Sequence, residues 1–255
     1  MTRIRIGVQL HPQHTTWASF SAAVRHFEAL GCDTIWNWDH FFPLYGEPQG
    51  PHFEGWTTLS AMATLTTRAE VGCLVTCNSY RNPALLANMA KTVDHISGGR
   101  LILGLGAGWF ERDYAEYGYT FGTAPDRLRA LKEALPIIQQ RWAVDVPPPT
   151  RPIPILIGGG GEKVTLRLTA QHAQIWHGFG PVETFKHKCA VLDEWCAQLG
   201  RDPQTIERSV SPSKGESLDA FLEAGATHFI LGVGEPWDYA AVEAALRWRE
   251  GVATP

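Results

Sequence analysis

The chain has 255 residues, 44% of them hydrophobic, enough to bury one substantial core, and it is read as a single domain from 1 to 255. Its 22 basic and 26 acidic side chains leave a net charge of −4 with no run of like charge, which argues against a nucleic-acid partner and an electrostatic membrane anchor. No apolar run reaches the roughly 18 residues of a membrane span, MTRIRIGVQLHP enters a strand pattern with no room for a signal peptide, and five cysteines without zinc spacing suit reduced thiols in a cytoplasmic protein.

In chain order, short apolar runs alternate with amphipathic stretches. IRIGVQL (4–10) is the first predicted strand, and Trp17, Phe20, Val24 and Phe27 recur at helical steps until Gly31 stops them. DTIWNW (33–38) is the second strand, 57–65 a helix, and VGCLVTC (71–77) a third, buried strand. Asn82 then caps a helix with Pro83 at its first position and Leu85, Leu86, Met89, Val93 and Ile96 on its apolar face. RLILGLG is strand four, followed by one long helix through Leu128, Leu131, Leu135, Ile138 and Trp142. IPILIGG is strand five, with a short helix from about Glu162 to Thr169. AQIWHGF (173–179) is strand six, and Phe185, Cys189, Leu192, Cys196 and Leu199 mark the next helix. Strand seven (206–210) is weakly signed, its helix (217–222) short, strand eight is HFILGV (228–233), and 239–249 closes the chain as a helix. Eight strand–helix units with fully apolar strands predict an α/β fold, a parallel (β/α)8 TIM barrel.

The glycines of LILGLGAGWFE test a different assignment. Gly104, Gly106 and Gly108 are spaced G-x-G-x-G, not G-x-G-x-x-G, and no acid closes a following strand about 20 residues on. A dinucleotide fold is therefore not the reading. Bare glycines at a strand end instead let a flat ligand approach the backbone.

In a barrel the reactive groups gather at the carboxyl ends of the strands. Those ends offer Gln9 and His11, then Trp38, Asp39 and His40, then Thr76, Asn78 and Arg81, then Gly106 to Trp109, then Gly158 to Gly161, and finally Trp176 and His177. His40 either exchanges a proton near neutral pH or ties a strand end by hydrogen bonding. IGGGGEK is either a phosphate loop, with Gly159, Gly160 and Gly161 helped by Lys163, or a flexible turn. Trp36, Trp38, Trp56, Trp109 and Trp176 are either walls for a ring system or core.

Taken together, ALGCDTIWNWDHFFP, TRAEVGCLVTCNSYRNPALLANMAKTVDHISGGRLILGLGAGWFERDYAEYG and PILIGGGGEKVTLRLTAQHAQIW resemble the bacterial luciferase-like family, and most closely its branch using the deazaflavin coenzyme F420. The resemblance runs from about residue 4 to 180 and more faintly beyond. It implies a barrel with the ring across its carboxyl-end mouth, Asp39 and His40 beside the ring, and His40 assisting proton transfer. It also implies a cis peptide between Leu74 and Val75 beneath the ring, with Thr76 beside them. Gly106, Ala107, Gly108 and Trp109 fall on the ring-contacting loop, Gly158, Gly159, Gly160 and Gly161 on the phosphate loop, and Trp176 on a ring wall. Gln9, His11, Trp38 and Asn78 are left to line a substrate pocket.

Two positions depart from the family pattern. The connection RWAVDVPPPTRPIP between the fourth helix and the fifth strand is short, which predicts an open pocket, and AQIW carries Gln174 where the family reads an acid. The expected activity is F420-dependent hydride transfer to or from a small organic substrate, an alcohol/carbonyl pair or an activated alkene. The alternatives are an FMN-dependent monooxygenase, with Arg127 as phosphate partner, and a barrel that binds cofactor without catalysis. A zinc hydrolase ranks below these, since His11 and His14 lack H-x-H spacing. Relatives commonly form homodimers, and no stretch of this sequence marks an interface.

Overall fold

A computed structural model describes residues 3–213 and 215–253. Its elements in chain order are β1 (Arg5–Leu10), α1 (Trp17–Leu30), β2 (Thr34–Asn37), α2 (Gly55–Leu65), β3 (Glu70–Cys73), β4 (Thr76–Cys77), α3 (Pro83–Ser97), β5 (Leu103–Gly106), α4 (Glu111–Tyr117), α5 (Ala124–Val144), β6 (Ile155–Gly158), α6 (Thr165–His172), β7 (Ile175–Gly178), α7 (Val182–Gln198), β8 (Glu207–Val210), α8 (Leu218–Glu223), β9 (His228–Val233) and α9 (Tyr239–Ala253). All strand pairs are parallel, in the order β3-β2-β1-β9-β8-β7-β6-β5-β4.

The nine strands make eight staves, because β3 and β4 are two halves of the predicted third strand. They are parted at Leu74–Val75, whose peptide bond is cis, as the resemblance implies. The halves share a neighbour: β4 pairs with β5, while Val71 of β3 bridges Leu101 just ahead of β5 and closes the barrel. The predicted (β/α)8 barrel is the fold.

Local sequence explains the elements. Thr16 caps α1 by accepting from the Ser19 N–H, and Gly31 ends it at φ 102°, a backbone region that side chains with a Cβ avoid. Asn82 caps α3 by accepting from the N–H groups of Ala84 and Leu85, with Pro83 following. Two apolar clusters, one built around Phe20, Phe27, Phe185 and Phe229 and the other around Leu86, Leu103, Leu135 and Ile157, pack helices onto the outside of the sheet. A third takes Trp36, Ile102, Leu156, Ile175 and Ile230 from the strand region and none from a helix, so it fills the barrel's interior.

Polar groups share that interior in hydrogen-bonded sets. Thr34 Oγ1 accepts from Trp36 Nε1 and lies 2.8 Å from His228 Nε2, and His177 Nδ1 lies 2.9 Å from Ser209 Oγ. Buried polar groups persist when paired in this way.

Three elements differ from expectation. The predicted single helix after β5 is preceded by α4, and Gly118, in the left-handed region, separates the two. α2 starts two residues early because Glu54 accepts from the N–H groups of Trp56 and Thr57. α6 starts at Thr165, three residues later than expected, after a turn over 162–164. The connection from α5 to β6 spans only residues 145–154.

Candidate functional site

The carboxyl ends of β1, β2, β4, β5 and β6 surround a cleft of about 510 Å3, a size typical of small-molecule sites. Cavities of about 540 and 790 Å3 lie beside α8 and α9 and at the barrel's amino end, and neither is lined by a histidine. The cleft is where the topology collects reactive groups.

Leu74 and Val75 line the cleft where β3 gives way to β4, and the Gln9 amide fixes this break by donating to the Leu74 carbonyl. Beside Gly106 and Gly158 the room left by the missing Cβ is taken by Val75. A Cβ on Gly106 would stand 2.6 Å from Val75 Cγ2, one on Gly158 3.0 Å from Val75 Cγ1, and one on Gly104 2.1 Å from the Cys73 carbonyl oxygen. Gly108, at φ 86°, gives its space to the Tyr114 hydroxyl. Gly106, Ala107 and Gly108 do line the cleft, but the side chain that fills the room beside Gly106 and Gly158 is Val75.

His40 lines the cleft with its side chain 12% exposed, and its Nδ1 lies 2.7 Å from Asp113 Oδ2. Asp113 is fully buried and also accepts the Tyr80 hydroxyl at 2.9 Å and the Phe41 N–H at 3.1 Å. Its position in the first turn of α4 suits a carboxylate. A carboxylate flanked by these donors accepts from His40 as well, so Nδ1 carries a proton, and in the neutral ring Nε2 holds the free lone pair. Asp113 was missed in the sequence. The available signal was two acids, Glu111 and Asp113, opening a short stretch that ends in Gly118.

Asp39 also borders the cleft, but its carboxylate is spent. Arg81 grips it with two hydrogen bonds of 2.6 and 2.9 Å, the Cys77 N–H adds a third at 3.0 Å, and Arg81 also reaches Glu54 at 2.6 Å. Burial lifts the Asp39 carboxyl above its ordinary value, and Arg81 opposes that lift. Asp39 thus ties the end of β2 to the region after β4. Thr76 is buried and accepts from Trp56 Nε1 at 3.2 Å.

A group of rings forms another wall. His11 stacks on Trp38 with centroids 4.4 Å apart, Trp38 Nε1 donates to His52 Nε2 at 2.9 Å, and the Tyr45 hydroxyl meets His11 Nδ1. Burial pushes His11 down to about 4 and Tyr45 up to about 12; burial, followed by the nearby His40, takes His52 to about 4. All three are uncharged at neutral pH. Tyr45 was also missed: it sits in a loop with no periodicity, held because its carbonyl accepts from Gln13 at 3.0 Å and from His14 at 2.9 Å.

The glycine loop reaches the cleft only in part. Gly158, Gly159 and Thr165, the first residue of α6, line it, while Gly160, Gly161 and Lys163 do not. Trp176 is a correction. It is fully buried, stacks on Phe185 at 5.2 Å and donates to the Gly159 carbonyl at 2.9 Å, so it holds the loop and forms no ring wall. Asn78 is another: it lies buried in a 3-10 turn, off the cleft. Trp109 and Phe179 stand at the mouth, 63% and 52% exposed, as expected of an open pocket. Arg127, the candidate phosphate partner, donates to the carbonyls of Gly108, Phe121 and Gly122 and covers the Phe121 ring.

The profile of the luciferase-like monooxygenase family matches residues 1–250. The chain is similar to an F420-dependent glucose-6-phosphate dehydrogenase of Amycolatopsis mediterranei, 30% identical over 54% of this chain and 46% of that protein. It is also similar to an F420-dependent hydroxymycolic acid dehydrogenase of Mycobacterium tuberculosis, 25% identical over 92% of this chain and 67% of that protein. The chain therefore spans about half the length of the first relative. Among solved structures, an F420-dependent secondary alcohol dehydrogenase in complex with an F420–acetone adduct superposes with a TM-score of 0.83 at 17% identity, over 94% of this chain and 96% of that one.

Proposed function

The chain belongs to the luciferase-like monooxygenase family, and from that premise we propose that it is an F420-dependent oxidoreductase moving a hydride between the deazaflavin and a small alcohol, carbonyl or activated alkene. The observation that carries this reading is His40, held at Nδ1 by the buried Asp113 beside an apolar cleft at the strand ends. The cleft's residues fit a flat, anionic-tailed cofactor. Leu74 and Val75 offer a floor, Trp109 an aromatic side, and Gly158, Gly159 and Thr165 a backbone-rich corner at a helix start. The names of the similar proteins support the same cofactor.

Bound there, the deazaflavin supplies a two-electron hydride donor or acceptor. The protein's part is placement and the proton. His40 Nε2 takes a proton from a substrate hydroxyl or returns one to a carbonyl oxygen, and Asp113 fixes the tautomer that makes Nε2 the acceptor. Val75 and Leu74 would close the cleft's floor to water when the cofactor is bound, while Asp39 and Arg81 hold β2 against β4 so that His40 keeps its place. The engagement of Arg127 with three carbonyls disfavours the FMN reading. We extend the proposal to one domain over 1–255 in the cytoplasm, a setting that suits five buried, free cysteines.

The test is to titrate the protein with F420 and, separately, with FMN, following ligand fluorescence, and to repeat both with His40→Ala. Micromolar or tighter F420 binding, weak FMN binding and a variant that still binds are expected. Preference for FMN moves the assignment to a monooxygenase, and binding of neither overturns it.

A further inference from the structure

Resting on that reading, the structure carries an inference about substrate class. Beyond Leu74 and Val75 the cleft is walled by Trp38, Trp109 and Phe179. His40 and Tyr45 both stand edge-on to Trp38, with centroids 6.2 and 5.9 Å from it and interplanar angles of 79° and 88°. His40, Tyr45 and Trp38 all line the one cleft, so a substrate bound there shares it with the proton-exchanging histidine and the tyrosine hydroxyl.

The charges of this region are consumed. Among the described residues lining the cleft none is a lysine or arginine, and Asp39 is closed off by Arg81. Nearby, Arg112 donates to the Pro48 carbonyl and covers the Phe42 ring, and Arg127 is bound to three carbonyls. A phosphate or carboxylate entering beside Trp38 would lose hydration without meeting a counter-charge, which is costly. What the wall offers is a neutral pair. With the Tyr45 hydroxyl donating to His11 Nδ1, the phenolic oxygen accepts from an alcohol; with the proton on His11 Nδ1, the tyrosine O–H turns outward and donates to a carbonyl. The same two residues therefore suit both members of an alcohol/carbonyl pair.

We propose that Tyr45, backed by His11 and Trp38, is the specificity-determining residue of a subsite for an uncharged, ring-bearing alcohol or ketone, and that a sugar phosphate is excluded from it. Tyr45 holds the substrate oxygen and takes no part in proton transfer, which belongs to His40.

The test uses calorimetry with 4-phenylcyclohexanol, 4-phenylcyclohexanone and glucose 6-phosphate, on protein with and without F420, for the wild type and Tyr45→Phe. Binding of both ring compounds, a loss of about tenfold in Tyr45→Phe, the equivalent of one neutral hydrogen bond, and no binding of glucose 6-phosphate at millimolar concentration are expected. Trp109→Ala, which alters a mouth residue 63% exposed, serves as the second variant and also weakens the ring compounds. Binding of glucose 6-phosphate comparable to the ring compounds, or equal affinity in wild type and Tyr45→Phe, overturns the subsite. Ring-compound binding without F420 binding overturns the cofactor reading and leaves the subsite standing. F420 binding without ring-compound binding does the reverse.

Discussion

Replacing Asp113 by Asn removes one acceptor from a side chain that uses both of its oxygens. Oδ2 serves His40 and Tyr80, and Oδ1 serves the Phe41 N–H. The amide has two ways to sit, and each fails differently. If its oxygen keeps Phe41, its NH2 faces His40 Nδ1, which must become the acceptor; the ring proton moves to Nε2 and the catalytic lone pair is lost. If the amide turns over, His40 and Tyr80 keep an acceptor but the NH2 meets the Phe41 N–H, leaving buried donors unpaired at about 1–3 kcal/mol. In a chain of this size that is a fall in Tm of roughly 2–4 °C per kcal/mol. The first arrangement is expected to lose activity by about 10²–10⁴ and to alter the pH profile of kcat, the second to keep most of the activity at a cost in stability, while F420 affinity by fluorescence titration changes little in either. A thermal melt separates the two arrangements, because only the second lowers Tm substantially. Unchanged kcat, pH profile and Tm together would refute the role given to Asp113.

Gly106→Ala drives a Cβ to 2.6 Å from Val75 Cγ2 and should cost about 1–3 kcal/mol; in combination with Val75→Ala the loss should fall short of the summed single losses by about 1 kcal/mol, and simple additivity in urea unfolding would show that Val75 is not what the glycine accommodates. Arg81→Ala leaves Asp39 buried without its partner and should destabilise by about 3–5 kcal/mol, read from the same curves. Acid sensitivity follows from three desolvated histidines, His177 buried and His11 and His52 partly so: His11 and His52 lie at about 4 and His177 at about 3, below the ordinary 6.5. As pH falls from 6.5 towards 4 the unfolded chain takes up protons that the folded chain refuses. Stability is thus complete above pH 6.5 and declines below it, by up to about 1.4 kcal/mol per pH unit for each histidine. Equal denaturation midpoints at pH 7 and pH 5 would contradict those environments.

The barrel was legible because its strands are apolar on both faces and its helices on one, and those periodicities survive folding. Its strand ends were legible as a site for the same reason: the topology, not any motif, brings Gln9, His11, His40, Thr76 and Gly106 to one mouth. Asp113 was not legible, since α4 has seven residues, too few to display a period, and its acid points to a histidine 73 residues earlier in the chain. Tyr45 depends on Gln13 and His14 gripping its carbonyl, contacts that no local pattern announces.

The glycines show why composition at a site is weaker evidence than its neighbours. A missing Cβ tells of room, and the sequence does not say who takes it. In LGLG of β5 the room goes to the Cys73 carbonyl and to Val75, whose side chain lies against Gly106 of β5 and Gly158 of β6. The resemblance placed the cis peptide between Leu74 and Val75, whereas the bare glycines of β5 told only of room. The resemblance drew on several segments between residues 4 and 180, and the glycine reading on Leu101 to Glu111 alone. They parted because a cleft floor is made by the strand that leans into it, and the strand that is short of side chains only makes way.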